Sequence, residues 1–348
     1  MRTISVVTPT YNEEANVHEV YQQTKAIFAD LPAYQYEHIF IDNASTDRTV
    51  PILRAIAAVD PRVKIIVNMR NYGQLRSPFY GLLQASGDAV ILLVADLQDP
   101  PSLIRTFVER WEAGGKIVIG VKTTSGESPA LFAIRKLYYS LVSSLSETQL
   151  VKNYTGFGLY DRSVIEVIRT IPVSYPYFRG LVLEIGPKPS IVPYAQPLRK
   201  RGISKNNFYT LFDIAMLGIT SHTKVPLRVA TIAGFLLSVT GVLVALGYLI
   251  AKLAFWNTFS AGIAPVVVGV FVFLSVQLFF IGLIGEYVGA IHTQTLRRPL
   301  VVEKERINFD STHAPSSSSS GLKSGSMSVI GLPKAILGKA LSRESTIT

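Results

Sequence analysis

Short apolar, largely β-branched runs recur along the first third of the chain: Ile4–Thr8, His38–Asp42, Val63–Asn68, Val90–Ala95 and Lys116–Val121. Such runs read as strands buried on both faces, where no polar alternation is needed. Between them, helices are predicted from Glu13 to about Asp30, over Val50–Val59 and over Gln74–Ser86. Another is predicted after Pro100 and Pro101, because proline suits first-turn positions. Asp47 is a candidate N-cap for the second helix. Strands alternating with helices predict an α/β fold whose mostly parallel sheet is covered on both faces.

Farther along, Val229–Ala251 and Ile263–Ile291 stay apolar on every face. Each exceeds the roughly 20 residues needed to cross the hydrocarbon layer. Two buried core helices are the alternative, although soluble helices seldom stay apolar all round for so long. Basic residues lie outside the pair: His222, Lys224 and Arg228 before it, Arg297, Arg298, Lys304 and Arg306 after it, and only Lys252 between. The positive-inside rule then puts both flanks in the cytoplasm. The N-terminal apolar run is too short for a signal peptide. The expected organisation is an α/β domain over 1–196, amphipathic juxtamembrane helices over 197–228, two spans within 229–291, and a cytoplasmic tail over 292–348, disordered from about 308.

Composition adds three constraints. The two apolar runs bring the 348 residues to 48% hydrophobic. A net charge of +10 is explained by basic flanks of membrane spans and attraction to anionic headgroups. No recognition motif accompanies that charge, so no nucleic-acid partner is expected. The absence of cysteine excludes disulfides, thiolate metal sites and cysteine nucleophiles.

Polar residues cluster where the strands end: Pro9-Thr10-Tyr11-Asn12-Glu13, Asp42, Arg70-Asn71-Tyr72-Gly73, and Asp96-Leu97-Gln98. In open α/β sheets the ligand crevice lies outside the carboxyl ends of the strands. Each ending read alone is a turn or cap; together they point to a nucleotide-type ligand. No Gly-x-Gly-x-x-Gly and no Walker A sequence is present to cradle phosphates. A divalent cation is then a natural way to neutralise a diphosphate, and Mg2+ and Mn2+ prefer oxygen ligands. Asp96 and Gln98, two apart, would point the same way from an extended backbone. The alternative is that Asp96 and Asp99 cap the next helix, or that Asp99 caps while Asp96 ligates.

The ordered segments VVTPTYNEEANV, IDNASTDRT, RNYGQ, ADLQDPP, YPYFRGLVLEIG, RKRGISKNNFYTLFDIA and GEYVGAIHTQTLRRP cover residues 4 to about 302. In this order they resemble family 2 glycosyltransferases of the GT-A fold. More narrowly they resemble the polyprenyl-phosphate glycosyltransferases, the group of dolichyl-phosphate mannose synthase and bacterial undecaprenyl-phosphate glucosyltransferases. The resemblance implies a Rossmann-like cytoplasmic domain on two transmembrane helices in the inner membrane, and a homo-oligomer. It implies inverting transfer of a sugar from a nucleotide sugar, a UDP-sugar such as UDP-glucose favoured over a GDP-sugar and the sugar itself left open, to an undecaprenyl or dolichyl phosphate. Pro9, Tyr11, Glu13 and Asp42 would contact base and ribose, and Asn71 would lie near the donor. Asp96 would bind the diphosphate and its Mg2+ or Mn2+, with Gln98 helping. Arg135 is a candidate for the acceptor phosphate, and Arg179 a weaker one.

Two positions depart from the family pattern. Val94 stands where many relatives begin an Asp-x-Asp, and Gly156 where many bacterial relatives place a proposed base. Asp161 is the nearest carboxylate in that motif and is the candidate for the catalytic role, with capping of the following helix as its alternative. Chemistry makes a missing base tolerable, because a phosphate monoester with a second pKa of about 6 is already a nucleophile at neutral pH. Near the membrane, Arg199, Lys200, Arg201 and Lys205 precede the apolar NNFYTLFDIAMLGIT and Lys224 and Arg228 follow it; Arg199, Arg201 and Lys205 would lie at headgroup level, gripping the lipid phosphate or the bilayer itself. The rival functions are a processive polysaccharide synthase and a non-catalytic nucleotide-binding membrane scaffold.

Overall fold

The apolar runs fold into the strands that they predict, and the chain adds three more. The computed structural model describes residues 1–124, 151–197, 216, 225–255, 263–296 and 298–309. Arg135, Arg199, Arg201, Lys205, most of 197–228 and the tail beyond Phe309 lie outside the described residues. The first half runs β1 (Arg2–Thr10), α1 (Val17–Ala29), β2 (Tyr34–Asp42), α2 (Thr49–Val59), β3 (Val63–Asn68), α3 (Gly73–Gln84), β4 (Ala89–Leu92), α4 (Leu103–Glu112) and β5 (Ile117–Thr124). After it come β6 (Tyr154–Asp161), α5 (Arg162–Thr170), α6 (Phe178–Ile185), β7 (Ser190–Ala195), two long helices, α7 (Val225–Ala254) and α8 (Ile263–Thr295), and finally β8 (Glu303–Ile307).

The strands form one sheet in the order β7-β5-β6-β4-β1-β2-β3-β8. β1 to β4 are mutually parallel, as the alternating pattern requires. β6 runs antiparallel between β4 and β5, and β7 is parallel to β5. Alternate residues feed opposite faces. Ile4, Val6 and Ile91 pack with Phe28, Phe107 and Trp111, whereas Val7, Ile41 and Val90 pack with Phe79, Leu82 and Ile165. α3 lies so close that a Cβ on Gly81 would come 2.9 Å from Val7. At the amino-terminal edge Glu37 is buried, paired with Lys64 at 2.6 Å and bonded by Ser5 and Ser86. His38, fully buried beside Thr8, is held neutral by burial, which drags its pKa to about 3.

β8 pairs antiparallel with the outer edge of β3, from Ile65–Ile307 to Asn68–Glu303. Glu305 pairs with Arg54, and the Asn308 amide donates to the Ala57 and Val63 carbonyls at 2.9 Å. The segment after the second apolar run thus returns to the main sheet, where the sequence suggested only a tail.

Both apolar runs are helical, and their large side chains, Phe235, Leu243, Leu278 and Phe279 among them, are exposed. That is the opposite of a buried core helix. Within α8, Val272–Thr295 is long and apolar enough to cross a membrane. α7 contributes a shorter apolar stretch, Val225–Gly241, so among the described residues one helix meets the criterion where the sequence suggested two.

Candidate functional site

The strand order reverses between β1 and β4, which makes their carboxyl ends the topological switch point of the sheet. Two loops there brace each other. Asn12 adopts φ 57°, a conformation that asparagine tolerates better than most residues. Its amide N–H donates to Ser45 Oγ at 2.9 Å and its side-chain oxygen accepts from Thr46 N–H at 2.8 Å. Glu13 N–H donates to Thr49 Oγ1, and Asp47 accepts from Glu14 and Thr49. The N-cap of α2 is Arg48 and not Asp47 as the sequence suggested; Asp47, one position earlier, accepts the first N–H of the helix while also holding the neighbouring loop. Pro9, Tyr11 and Glu13 are part-exposed on this edge.

Asp42 reaches the same edge but is fully buried. Its carboxylate accepts from Ser45 N–H at 2.9 Å, from Ser45 Oγ and from Thr10 Oγ1 at 3.3 Å. Burial raises its pKa in spite of those donors. Asp42 thus braces its own loop at the edge where a contact with base or ribose is expected of it. Asn43 plays the same part toward β3. It donates to Asn71 Oδ1 at 2.8 Å and accepts from Tyr72 N–H at 2.8 Å and Asn68 at 3.2 Å. Asn71 is exposed at the crevice with its amide oxygen held by Asn43 and by Gly73 N–H.

β4 ends at Leu92, three residues earlier than predicted, and the chain turns at Ala95–Asp96. Asp96 Oδ1 accepts from Gln98 N–H at 3.1 Å, and Leu97 sits at φ 57°. The backbone is therefore a turn and not the extended strand assumed from spacing. Burial still alternates: Val94, Asp96 and Gln98 face outward, Ala95, Leu97 and Asp99 inward. Asp99 does not cap α4. It is buried against Lys122 Nζ at 3.6 Å and accepts from the Tyr194 hydroxyl. Burial pushes its carboxyl up, against the pull of Lys122 and Tyr194.

Gly156 lies beside the end of β4, with φ 103°, where a Cβ would meet Leu92 at 3.3 Å and approach Arg179 at 3.9 Å. Asp161 lies at the other end of β6, paired in register with Ala89 at the start of β4. This corrects its candidacy as a catalytic group, because it sits on the edge opposite Asp96. It caps α5 through Ser163 N–H at 3.0 Å and accepts from Trp111 Nε1 at 2.8 Å and Lys116 at 2.9 Å. Burial opposes its ionisation, but donors from Ser163, Trp111 and Lys116 outweigh it and bring the pKa to about 2. Asp161→Ala is expected to cost about 1–2 kcal/mol of stability as a lost cap, with donor KM unchanged. Because the folded pKa is depressed, the wild-type advantage is present above the unfolded value of 3.8 and fades as pH falls toward 2. Thermal melts of both proteins across pH check this, and a collapse of kcat without loss of stability would restore the catalytic assignment.

A cavity of about 400 Å³ lined by Arg2, Trp111, Lys116 and Asp161 lies on that opposite edge, away from the crevice. Among the described residues no cluster of three or more His, Cys, Asp or Glu could hold a metal ion. Asp96 and Gln98 supply hard oxygen donors of the type Mg2+ and Mn2+ take, in a number that suits an ion shared with a diphosphate. The bracing asparagines, Asn12 and Asn43, and the buried role of Asp99 escaped the sequence reading. The only signal for the two asparagines was their place within two residues of a strand end.

A family model described as Glycosyl transferase family 2 matches residues 5–169. The bactoprenol glucosyl transferase of Shigella phage SfV is 34% identical over 304 residues, covering 86% of this chain and 98% of that protein. The uncharacterized glycosyltransferase YkcC of Bacillus subtilis strain 168 is 34% identical over 88% of this chain and 94% of its own length. Among solved structures, glucosyl-3-phosphoglycerate synthase from Mycobacterium tuberculosis, in complex with Mn2+, uridine diphosphate and phosphoglyceric acid, aligns over 63% of this chain and 76% of that one. Its TM-score is 0.46 and its identity 21%.

Proposed function

Because the chain belongs to glycosyl transferase family 2, we propose that it transfers a hexose from a nucleotide sugar, UDP-glucose favoured, to the phosphate of a polyprenyl phosphate on the cytoplasmic face of the inner membrane. One observation carries this reading. The connector ahead of α6, which leads to the ligand edge at Arg179, is hydrogen-bonded to the end of the apolar helix α8. Ser174 N–H donates to Gln294 Oε1 at 3.1 Å, and Gln294 Nε2 donates to the Tyr175 carbonyl at 3.4 Å. Such a junction holds the crevice against a lipid surface, where a lipid-borne acceptor would be found.

In the reaction, an acceptor phosphate oxygen attacks the anomeric carbon in line. The bond from that carbon to the nucleoside diphosphate breaks, and configuration inverts. The acceptor, a dianion above a pH of about 6, needs no proton removed, which accords with Gly156 where a base would otherwise stand. Pro9, Tyr11, Glu13 and Asn71 would bind the nucleotide sugar, with Asp42 and Asn43 fixing the loops that carry them. Asp96 and Gln98 would hold Mg2+ or Mn2+, which when bound offsets the charge developing on the leaving diphosphate. Arg135, Arg199, Arg201 and Lys205 are proposed to draw in the acceptor phosphate.

Support for two spans is topological. β8 pairs with β3, so the chain on either side of α7 and α8 lies on one side of any membrane. An even number of crossings between them is thus favoured, which supports α7 as a second span alongside α8. The assembly is proposed to be a homo-oligomer.

Membranes bearing the protein, given radiolabelled UDP-glucose and undecaprenyl phosphate, are expected to yield label extractable into chloroform. Label in polymer would favour a polysaccharide synthase, and absence of label with any nucleotide sugar a binding scaffold.

A further inference from the structure

Arg76 has no part in the scheme above. We propose that its guanidinium, seated on Tyr175, is a receptor for the phosphate of the membrane-borne acceptor; this rests on the glycosyl-transfer reading just given.

Arg76 lies in the first turn of α3, on the crevice edge of the sheet. Its guanidinium carbon is 5.2 Å from the centroid of the Tyr175 ring. Its Nε is buried and has no hydrogen-bond partner. Other arginines of the domain are arranged differently: Arg62 binds Asp60, Arg169 binds Glu166 and Arg306 binds Glu303. A buried donor without an acceptor is unfavourable, and more so when it carries charge. A ligand anion supplies the missing acceptor. The aromatic floor orients the planar fork without neutralising it.

The location selects the anion. Tyr175 belongs to the connector clamped to α8 through Ser174 and Gln294. The seat of Arg76 is therefore built from the membrane helix end and the crevice edge together. From the other side, Arg179 stands near Gly156, over the Tyr177 ring at 5.3 Å, its Nη1 3.5 Å from the Tyr154 carbonyl. A phosphate monoester arriving along α8 meets Arg76 at the point where lipid gives way to crevice. A guanidinium takes such a group through two parallel N–H···O bonds, a geometry that an ammonium cannot reproduce.

The test uses full-length protein in detergent with UDP-glucose and undecaprenyl phosphate. Arg76→Gln is expected to raise the acceptor KM about tenfold or more while donor KM stays within about twofold, and Arg76→Lys to restore only part of the loss. An acceptor KM unchanged in both variants overturns the proposal. So does a rise confined to donor KM, which would give Arg76 to the nucleotide's phosphates. Equilibrium binding of farnesyl phosphate, with farnesol as control, reads the same contact without turnover: wild type binds the phosphate and Arg76→Gln does not. Should Arg76→Gln fail to fold, Arg76→Lys carries the comparison alone, and wild-type affinity for farnesyl phosphate in that variant overturns the proposal. Wild-type protein that labels no lipid with any donor would remove the underlying transfer reading, whereas loss of the Arg76 effect alone leaves that reading in place.

Discussion

Asp96→Ala is expected to abolish sugar transfer, lowering kcat by about 10²–10³-fold or more, while the protein still folds and remains in the membrane fraction. The carboxylate sits on a turn at the lip of β4 and faces outward, part-exposed. The bond its removal costs the fold at this turn is local, from Gln98 N–H to Oδ1. Loss of the negative charge would remove the proposed anchor for Mg2+ or Mn2+ at the leaving diphosphate, leaving only the neutral Gln98 as a ligand. Stripping divalent ions with a chelator should reproduce the loss in wild-type protein, and added Mn2+ or Mg2+ should reverse it there but not in the variant. Substantial turnover by Asp96→Ala, measured with labelled donor, would remove the metal assignment.

Lys122→Met is expected to damage both stability and transfer. Its ammonium is the buried counter-charge to Asp99, 3.6 Å away, beneath the loop that carries Asp96. Removing one partner of a buried pair costs up to about 3–5 kcal/mol. Asp99 softens that cost by protonating, since burial already pushes its carboxyl up. The sign follows. A buried acid with a raised pKa favours the folded state at low pH and penalises it as pH rises through the folded value. The variant should therefore lose melting temperature as pH rises from the unfolded value of 3.8 toward the raised folded one, more steeply than wild type. Lys122→Met combined with Asp99→Asn should lose that pH dependence. A single variant with a flat melting profile would show that the pair contributes little.

The central strands were legible because parallel strands buried on both faces must be apolar throughout. Val90–Leu92 and Ile39–Ile41 have no polar residue to confuse the pattern. β6 was not legible: Gly156 and Gly158 dilute its apolar signal, and it is fixed by close approach, with a Cβ on Gly158 falling 2.4 Å from the Val118 carbonyl. β8 reads Glu-Lys-Glu-Arg-Ile, a composition resembling a solvated tail, yet an edge strand needs only backbone pairing and tolerates charge. The site divides the same way. An aliphatic run stopping on Asp96 marks the crevice in one dimension. Asp161 misled because five residues of an antiparallel strand span about 17 Å, enough to carry the chain from the ligand edge to the opposite one. Spacing along a sequence carries no sign for strand direction. Asp42 reached the right edge, but whether a carboxylate faces a ligand or its own loop depends on Ser45 and Thr10, whose hydroxyls the sequence leaves unaddressed.

The late return of β8 has a consequence for biosynthesis. Ribosomes make β3 long before residues 303–307, and both apolar helices emerge in the interval. Until then β3 offers a bare row of amides and carbonyls, the kind of border that recruits foreign strands. A fragment truncated ahead of α7, the obvious choice for soluble expression, would keep that border permanently open and lose both Arg54's partner Glu305 and the bonds from Asn308. Expressing the domain with residues 298–309 spliced back through a flexible linker should yield a better-behaved monomer than simple truncation.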